Sequence, residues 1–430
     1  MHRSISRKDA ATNGSSVSGT GIGLALCALA LGGLFIGTGE FASMSLLPSM
    51  AQGTSVSIPT AGSYITAYAL GVVVGAPVSA ALGARRERRA LLCSLLILFS
   101  LGYACSALAT NYKALIAARF ISGLPHGAYY GVASLVAAAM APRQRRAQAI
   151  GIVMLGLAGA NVVGVPLATW LGQVLGWRAA FGAMAVGALG SIALIITRVP
   201  KVQPDSTTNA LDELSSLARA DVWLTLAVAS IGFGGMFAVY TFITPTLTEV
   251  TRLPSGMVPW ALTAWGAGMV AGNIVGGWLA DRALVPSIFG MLIWNAFFLG
   301  AFSFAASSPP WALLVLFLIG AGFALVPALQ SLLMQISGRA QTLASALNHS
   351  AFNIANAVGA STAGLAISHG YGWTSTGWVG AALAMFGALL MMVAQRSTTN
   401  RKRKEQSLAG RLHEHSHEAK NDTNCAHPTK

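Results

Sequence analysis

What this sequence has least of is charge: Asp, Glu, Lys and Arg make up 9% of its 430 residues, against roughly a quarter in an ordinary soluble domain. That shortage excludes a soluble globular enzyme. Acid is scarcer than base, with 13 Asp+Glu against 27 Lys+Arg. The four cysteines, Cys27, Cys93, Cys105 and Cys425, have no paired spacing, so neither a disulfide framework nor a zinc site follows. P-loop and GxSxG patterns are missing, and the one HExxH string, His413 to His417, lies in a polar tail with no helical hydrophobic pattern, which removes the common routes to hydrolysis and to ATP-driven pumping. No cofactor and no metal is expected.

Apolar length is what the chain has instead. Twelve continuous runs are long enough to cross a hydrocarbon layer of about 30 Å, which takes about 20 helical residues. In the first half they span Gly21 to Leu47, Ala61 to Leu82, Ala90 to Leu108, Leu115 to Met140, Ala149 to Val174 and Ala179 to Thr197. In the second they span Val222 to Leu247, Val258 to Ala280, Val285 to Ala306, Trp311 to Ile336, Leu343 to Ser368 and Thr376 to Ala394. The runs do not alternate polar with apolar, which excludes a membrane β-barrel. The reading is an all-α integral membrane protein.

The basic excess, +14 overall, would suit a nucleic-acid binder, but its placement argues otherwise. With twelve spans, both termini and every even-numbered loop share one face, and that face carries 23 Lys+Arg against 3 (Lys113, Arg178, Arg252) on the other. Arg119 lies inside a span. By the positive-inside rule the basic face is cytoplasmic, where it also attracts anionic lipid headgroups. A nucleic-acid partner is thereby set aside.

Sliding the chain against itself by 197 residues aligns Pro48 with Pro245, Thr66-Ala67-Tyr68 with Thr263-Ala264-Trp265, Gly71 and Gly75 with Gly268 and Gly272, and Arg85 with Arg282. A shift of 195 aligns Asn161 and Gly164 with Asn356 and Gly359. Several matches at the same place relative to a span argue duplication. The expected organisation is a cytoplasmic tail (1–20), a six-helix bundle (21–197), a cytoplasmic linker (198–221), a second six-helix bundle (222–395) and a polar, His-containing tail (396–430). His413 to Glu418 in that tail read as a solvated segment rather than a metal site.

Parallel six-helix repeats are the layout of the major facilitator superfamily, and particular residues carry the resemblance. Gly276-Gly277-Trp278-Leu279-Ala280-Asp281-Arg282 resembles its cytoplasmic loop motif, and Arg119 followed by Gly123 and Gly127 is similar to its fourth-helix arginine motif. Gly164-Val165-Pro166 with Gly172 resembles the fifth-helix antiporter motif. With Gly37-Thr38-Gly39-Glu40-Phe41, Val56-Ser57-Ile58-Pro59 and Gly176-Trp177-Arg178, the pattern resembles bacterial proton-coupled exporters of the arabinose-efflux type. The resemblance implies the superfamily fold, two pseudo-symmetric six-helix bundles that rock about a midplane site. In the first-half loop, Ala84 stands before Arg85, Arg86, Glu87, Arg88 and Arg89 where the motif has an aspartate. The fifth-helix motif lacks its adjacent Gly-Pro and has Ala168 where a glycine is common.

Of the acidic residues only Glu40 falls deep within a span, where an ionisable group is expensive unless paired or facing water. A carboxyl there can take up and release a proton as its cavity opens to either side. Arg119 enters its helix from the same face, so an ion pair with Glu40 is expected, and His126 lies seven residues beyond Arg119 on the same helix face. These three are the candidates for proton coupling, each with an alternative structural role. His349, Asn353 and Asn356 recur as a polar seam in the eleventh span, with Asn161 as a repeat mate. Tyr68 and Trp265 occupy matched positions and Phe237, Tyr240 and Phe242 stud the seventh span. Tyr68, Asn161, Tyr240, Trp265, His349, Asn353 and Asn356 are the candidate substrate-cavity residues; Arg85, Arg89, Gly164, Pro166, Gly276, Asp281 and Arg282 are the candidate gating residues.

The function expected is secondary export of a small organic solute (a drug, sugar or nucleoside-like compound) by proton antiport, in a monomer. A facilitator or proton symporter is the alternative within transport, and a non-transporting receptor or scaffold the alternative outside it.

Overall fold

In a computed structural model, residues 19–83, 86–142, 145–203, 220–337 and 341–396 are described, and they are almost entirely helical. The first half contributes α1 (Gly19–Ser45), α2 (Ser63–Gly83), α3 (Arg88–Leu108), α4 (Tyr112–Gly123, continued as His126–Met140), α5 (146–175) and α6 (Trp177–Arg198). The second contributes α7 (220–250), α8 and α9 (258–282 and 284–305, divided at the non-helical Ala283), α10 (Pro309–Ile336), α11 (Gln341–Ser368) and α12 (Ser375–Arg396). All twelve expected spans coincide with a helix to within a few residues. The N-terminal tail, most of the linker, Arg85 and the C-terminal tail lie outside the described residues.

By length and composition alone, nine helical stretches among the described residues are apolar enough to cross a membrane. Dividing the one at Ala283 makes ten. The remaining two are α4 and α11, the helices that carry Arg119 and His126, and His349, Asn353 and Asn356. Polar groups depress a helix's apolarity where it faces other helices rather than lipid. In α4 the break at Leu124 and Pro125 also leaves pieces of only 12 and 15 residues.

Kinks follow the prolines. Pro125 ends the first piece of α4, and Pro166 stands just after a π-turn at Ala160–Gly164 in α5, because proline lacks the N–H for the helical ladder and its ring crowds the carbonyl four residues back. In α7, Phe242 breaks the helix three residues before Pro245, and π-turns at Val228–Gly232 and Thr246–Val250 flank the segment Gly234–Thr241.

The repeat is visible in the packing. A Cβ on Gly71 or Gly75 of α2 would strike the carbonyl oxygens of Phe120 and Leu124 in α4, and one on Gly123 would strike that of Tyr68. In the second half, Gly268 and Gly272 of α8 lie equally close to the carbonyls of Phe317 and Ala321 in α10, and Gly320 to that of Trp265. Every partner in the second set lies 197 residues after its counterpart. Small residues at these positions let helix backbones touch, the packing on which membrane helices rely when lipid supplies no hydrophobic contrast.

The two bundles meet at the end of the molecule opposite the termini, the distal end. There Thr244 Oγ1 donates to the Ser45 carbonyl at 2.7 Å, Gln173 Nε2 to the Ser255 carbonyl at 2.8 Å, and the Thr66 and Ser361 hydroxyls are 3.2 Å apart. Gly266 of α8 abuts the Asn161 backbone of α5, whereas a Cβ on Gly277, three turns along the same face, would meet nothing within 4 Å among the described residues. The interface is closed distally.

Candidate functional site

Glu40 lies five residues from the distal end of α1, 5% exposed, at the plane where the bundles meet. Its Oε1 accepts from Asn356 Nδ2 of α11 at 3.2 Å, a bond between residues 316 apart in the chain. Its Oε2 is 3.7 Å from His126 Nε2, and His126 Nδ1 is 2.9 Å from the Tyr68 hydroxyl. A carboxyl, an imidazole and a phenol thus stand in line across α1, α4 and α2, all buried. Each can hold or pass a proton to the next, because the imidazole carries one nitrogen toward each neighbour.

The expected ion pair between Glu40 and Arg119 does not form, because the aromatic rings around Arg119 hold its guanidinium elsewhere. Arg119 is 0% exposed, donates from Nη1 to the Tyr103 hydroxyl at 2.8 Å, and leaves Nε and Nη2 without a hydrogen-bond partner. Its guanidinium carbon lies 4.4 Å from the centroid of Tyr68, 5.4 Å from Tyr103 and 5.6 Å from Phe181. Three ring faces offset part of the cost of burying the cation. Tyr68, expected on the cavity wall, instead lies fully buried between Arg119 and His126. Tyr103 is the neighbour that sequence reasoning missed, for α3 otherwise reads as plain apolar helix.

On α11, His349 stacks on Tyr130 of α4 with ring centroids 6.0 Å apart and planes 9° from parallel. Asn353 Nδ2 donates back to the His349 carbonyl at 3.0 Å. The amide oxygens of Asn161, Asn353 and Asn356 are buried without a partner. Asn161 Nδ2 satisfies the Leu157 carbonyl of its own helix at 3.0 Å, within the α5 stretch that its π-turn distorts.

Beside Glu40 lies a narrow apolar recess lined by Phe41, Phe233, Met236, Phe237, Tyr240, Trp265, Met269 and Phe323. Tyr240 and Trp265 were legible as candidates, and Phe237 as an aromatic on the same span; the other five were not singled out for a cavity. A signal was present all the same. Phe237, Trp265 and Phe323 stand 197 residues after Glu40, Tyr68 and His126, so the recess occupies in the second half the place of the polar line in the first.

The gating candidates separate. Gly276 packs on the Ala324 backbone, and Gly164 on the Thr38 side chain across α5 and α1. Pro166 sets the α5 distortion. Arg89 Nη1 donates to the carbonyls of Ile196 and Val199, each at 3.1 Å, so it caps the end of α6 in its own bundle rather than reaching across. Glu87 accepts from the N–H groups of Arg89 at 2.7 Å, Ala90 at 3.2 Å and Val202 at 3.3 Å, capping α3 and tying down the start of the linker. Asp281 is exposed, and the Arg282 guanidinium lies 3.7 Å from the Trp278 ring centroid.

Two packing repeats of membrane helices, with a buried polar line in the first that reaches the plane where they meet, have the layout of a solute transporter rather than an enzyme. The chain belongs to the major facilitator superfamily: the family's model matches residues 29–282 and 229–416. It is 39% identical to the inner membrane transport protein YdhP of Escherichia coli over 373 residues, 86% of this chain and 96% of that one. It is 30% identical to a chloramphenicol resistance protein of Streptomyces lividans over 374 residues, 85% and 95% of the two chains. Its fold is that of a bacterial homologue of the human lysosomal transporter Spinster in an inward-facing, occupied conformation, with a TM-score of 0.72, 16% identity, and 86% and 96% of the chains covered.

Proposed function

We propose that this protein exports a small organic solute across the bacterial inner membrane by exchanging it for protons, working as a monomer with both termini in the cytoplasm. The observation that carries the reading is Glu40: a buried carboxyl at the bundle interface, held by Asn356 of the opposite half and flanked by His126 of its own. A proton on Glu40 removes its charge and changes which hydrogen bonds it can accept, so protonation weakens the tie to Asn356 and frees the bundles to rock. The 23-to-3 distribution of basic residues puts the terminal end in the cytoplasm. The relative named for chloramphenicol resistance supports export over uptake. The domain boundaries proposed from the sequence, 21–197 and 222–395 joined by a cytoplasmic linker, suit two bundles moving as units.

The test uses everted membrane vesicles with an acid lumen, a pH-sensitive dye, and chloramphenicol, L-arabinose and uridine as probes. Wild-type protein should release lumenal protons on addition of at least one probe. Glu40→Gln should abolish that release while retaining solute exchange without a pH gradient. Proton-driven accumulation by Glu40→Gln with unchanged pH dependence, or no response of the wild type to any probe, overturns the reading.

A further inference from the structure

The terminal end of the first bundle gathers cations at one corner. The first residues of the linker lie against the start of α3: Arg88 N–H donates to the Val202 carbonyl at 2.9 Å, and Val202 N–H donates to Glu87 Oε1 at 3.3 Å. Arg89 Nη1, bonded to the carbonyls of Ile196 and Val199, ties the end of α6 to the same place. These bonds bring Arg86, Arg88, Arg198 and Lys201 together, Arg88 half-buried and the other three exposed. Within 86–90 and 196–203 the one acid is Glu87, and it already accepts from three backbone N–H groups. Cations held this close repel one another, and an anion placed among them relieves the repulsion.

Topology alone does not call for this cluster. At the 197-residue shift the second half has Ala283, Leu284, Val285 and Pro286 where the first has Arg86, Glu87, Arg88 and Arg89, and Gln395 where the first has Arg198. Both corners lie at the terminal end, yet the second keeps only Arg396, at the end of α12. Beneath the cations the first bundle shows lipid an apolar face made by two packed helices, joined where Ser100 Oγ of α3 donates to the Ala185 carbonyl of α6 at 2.9 Å. Ile97 and Leu101 on α3 are 46% and 57% exposed, and Leu194 and Ile196 on α6 are 41% and 54% exposed. Leu194 lies about 6 Å of helical rise from Arg198, and Ile97 about 14 Å from Arg88. Those depths are where the acyl chains of a lipid begin below its headgroup.

We infer that this corner is a discrete site for one anionic phospholipid, its phosphate among Arg88, Arg198 and Lys201 and its acyl chains along the outer faces of α3 and α6. The cations select a negative headgroup, and the apolar face beneath them selects a lipid over a soluble phosphate, because each methylene buried there adds to the binding. Basic pockets between membrane helices at headgroup depth hold anionic lipids in this way. The site is distinct from the general attraction of the basic face, because its cations are set in place by the bonds that join α3, α6 and the linker. A bound headgroup bridges the linker to the first bundle and so adds to the hold of Glu87 on Val202. Neither the exported solute nor the coupling ion enters this inference.

The full-length protein in detergent micelles is titrated with dioleoyl phosphatidylglycerol, with dioleoyl phosphatidylcholine and with glycerol 1-phosphate, and bound lipid is counted by native mass spectrometry. Phosphatidylglycerol should fill one site saturably, about 10-fold more tightly than phosphatidylcholine. Arg88→Gln/Arg198→Gln/Lys201→Gln, which leaves Glu87 and Arg89 in place, should weaken that site about 10-fold or more. Arg145→Gln/Arg146→Gln/Arg396→Gln removes as much charge from exposed positions at the same end and should leave the affinity within about 2-fold. Should the corner triple variant not fold, Lys201→Gln alone, in the linker, should weaken the site about 3-fold while Arg146→Gln leaves it unchanged. Equal losses in the corner and control variants, equal affinity for the two lipids, or displacement of phosphatidylglycerol by glycerol 1-phosphate at matching concentration overturns the site. No proton gradient or solute enters the measurement, so failure of proton-coupled export in vesicles leaves this result standing, and the converse holds as well.

Discussion

The two halves of this molecule are built by the same close approaches and do different chemistry. In both, glycines on the second helix of the repeat touch the backbone of the fourth, at partners 197 residues apart. Yet the positions that hold Glu40, Arg119 and His126 in the first half hold Phe237, Leu316 and Phe323 in the second. Backbone packing tolerates almost no change at a contact where a Cβ would meet a carbonyl, whereas side chains pointing into the interface can diverge once the helices are placed. The difference teaches that the duplicated scaffold and the site are separate layers, one common to both halves and one specialised in each.

The largest effect expected tests the shared layer. Gly71→Val and Gly268→Val should each cost about 3 kcal/mol or more, since the obstructing atom is backbone and cannot rotate away. Both should lose most of their monodisperse protein in size-exclusion profiles, while Gly277→Ala, which meets open space, should stay within about 0.5 kcal/mol of wild type. Tolerance of valine in one half alone would break the structural equivalence.

A second substitution copies one half into the other. Arg119→Leu installs the residue found at position 316 and removes a buried cation that has two unpartnered nitrogens. Replacing a poorly paired buried charge by a fitting apolar group is neutral or stabilising, so the melting temperature should hold or rise while proton-driven export disappears. A melting temperature lower by several degrees would instead mean that the cation, through Tyr68, Tyr103 and Phe181, holds the first bundle together.

The smallest effect separates stability from gating at the terminal end. Glu87→Gln weakens the cap of α3 and the hold on Val202, costing about 1 kcal/mol with transport largely kept. Asp281→Asn should leave thermal stability unchanged and impair transport more than Glu87→Gln does. The reverse order in transport assays would assign the gate to the first-half loop, despite the Ala84 that stands there.

The twelve spans were readable because each is a property of consecutive residues facing lipid, and their length cannot be disguised. The repeat was readable because it is a spacing. Glu40 stood out as an acid in an apolar run, and Asn356 as a polar residue in a seam, but that the two meet was not readable from either segment. Which face of α11 turns toward α1 depends on how the bundles lean together, a quantity that no local pattern carries. Arg119 was misjudged for a related reason. Its depth made a pair with Glu40 feasible, and the aromatic cage that holds it instead comes from α2, α3 and α6, three helices whose rotations are set by packing. Of the recess, Phe237, Tyr240 and Trp265 were readable as pocket aromatics, whereas Phe41, Phe233 and Phe323 were not, because aromatic residues in membrane helices are ordinarily packing and only their convergence distinguishes these.

By itself, then, the chain determined that it lives in a membrane as twelve helices, that it was built by duplication, and which few side chains are too polar to face lipid. Those are consequences of transfer free energies that each segment meets alone. The tertiary structure decided which polar groups share hydrogen bonds, that one half presents a carboxyl where the other presents rings, and that the interface closes at one end. Those outcomes depend on the relative rotation of helices hundreds of residues apart, fixed by backbone-to-backbone packing at small residues rather than by the polar side chains themselves.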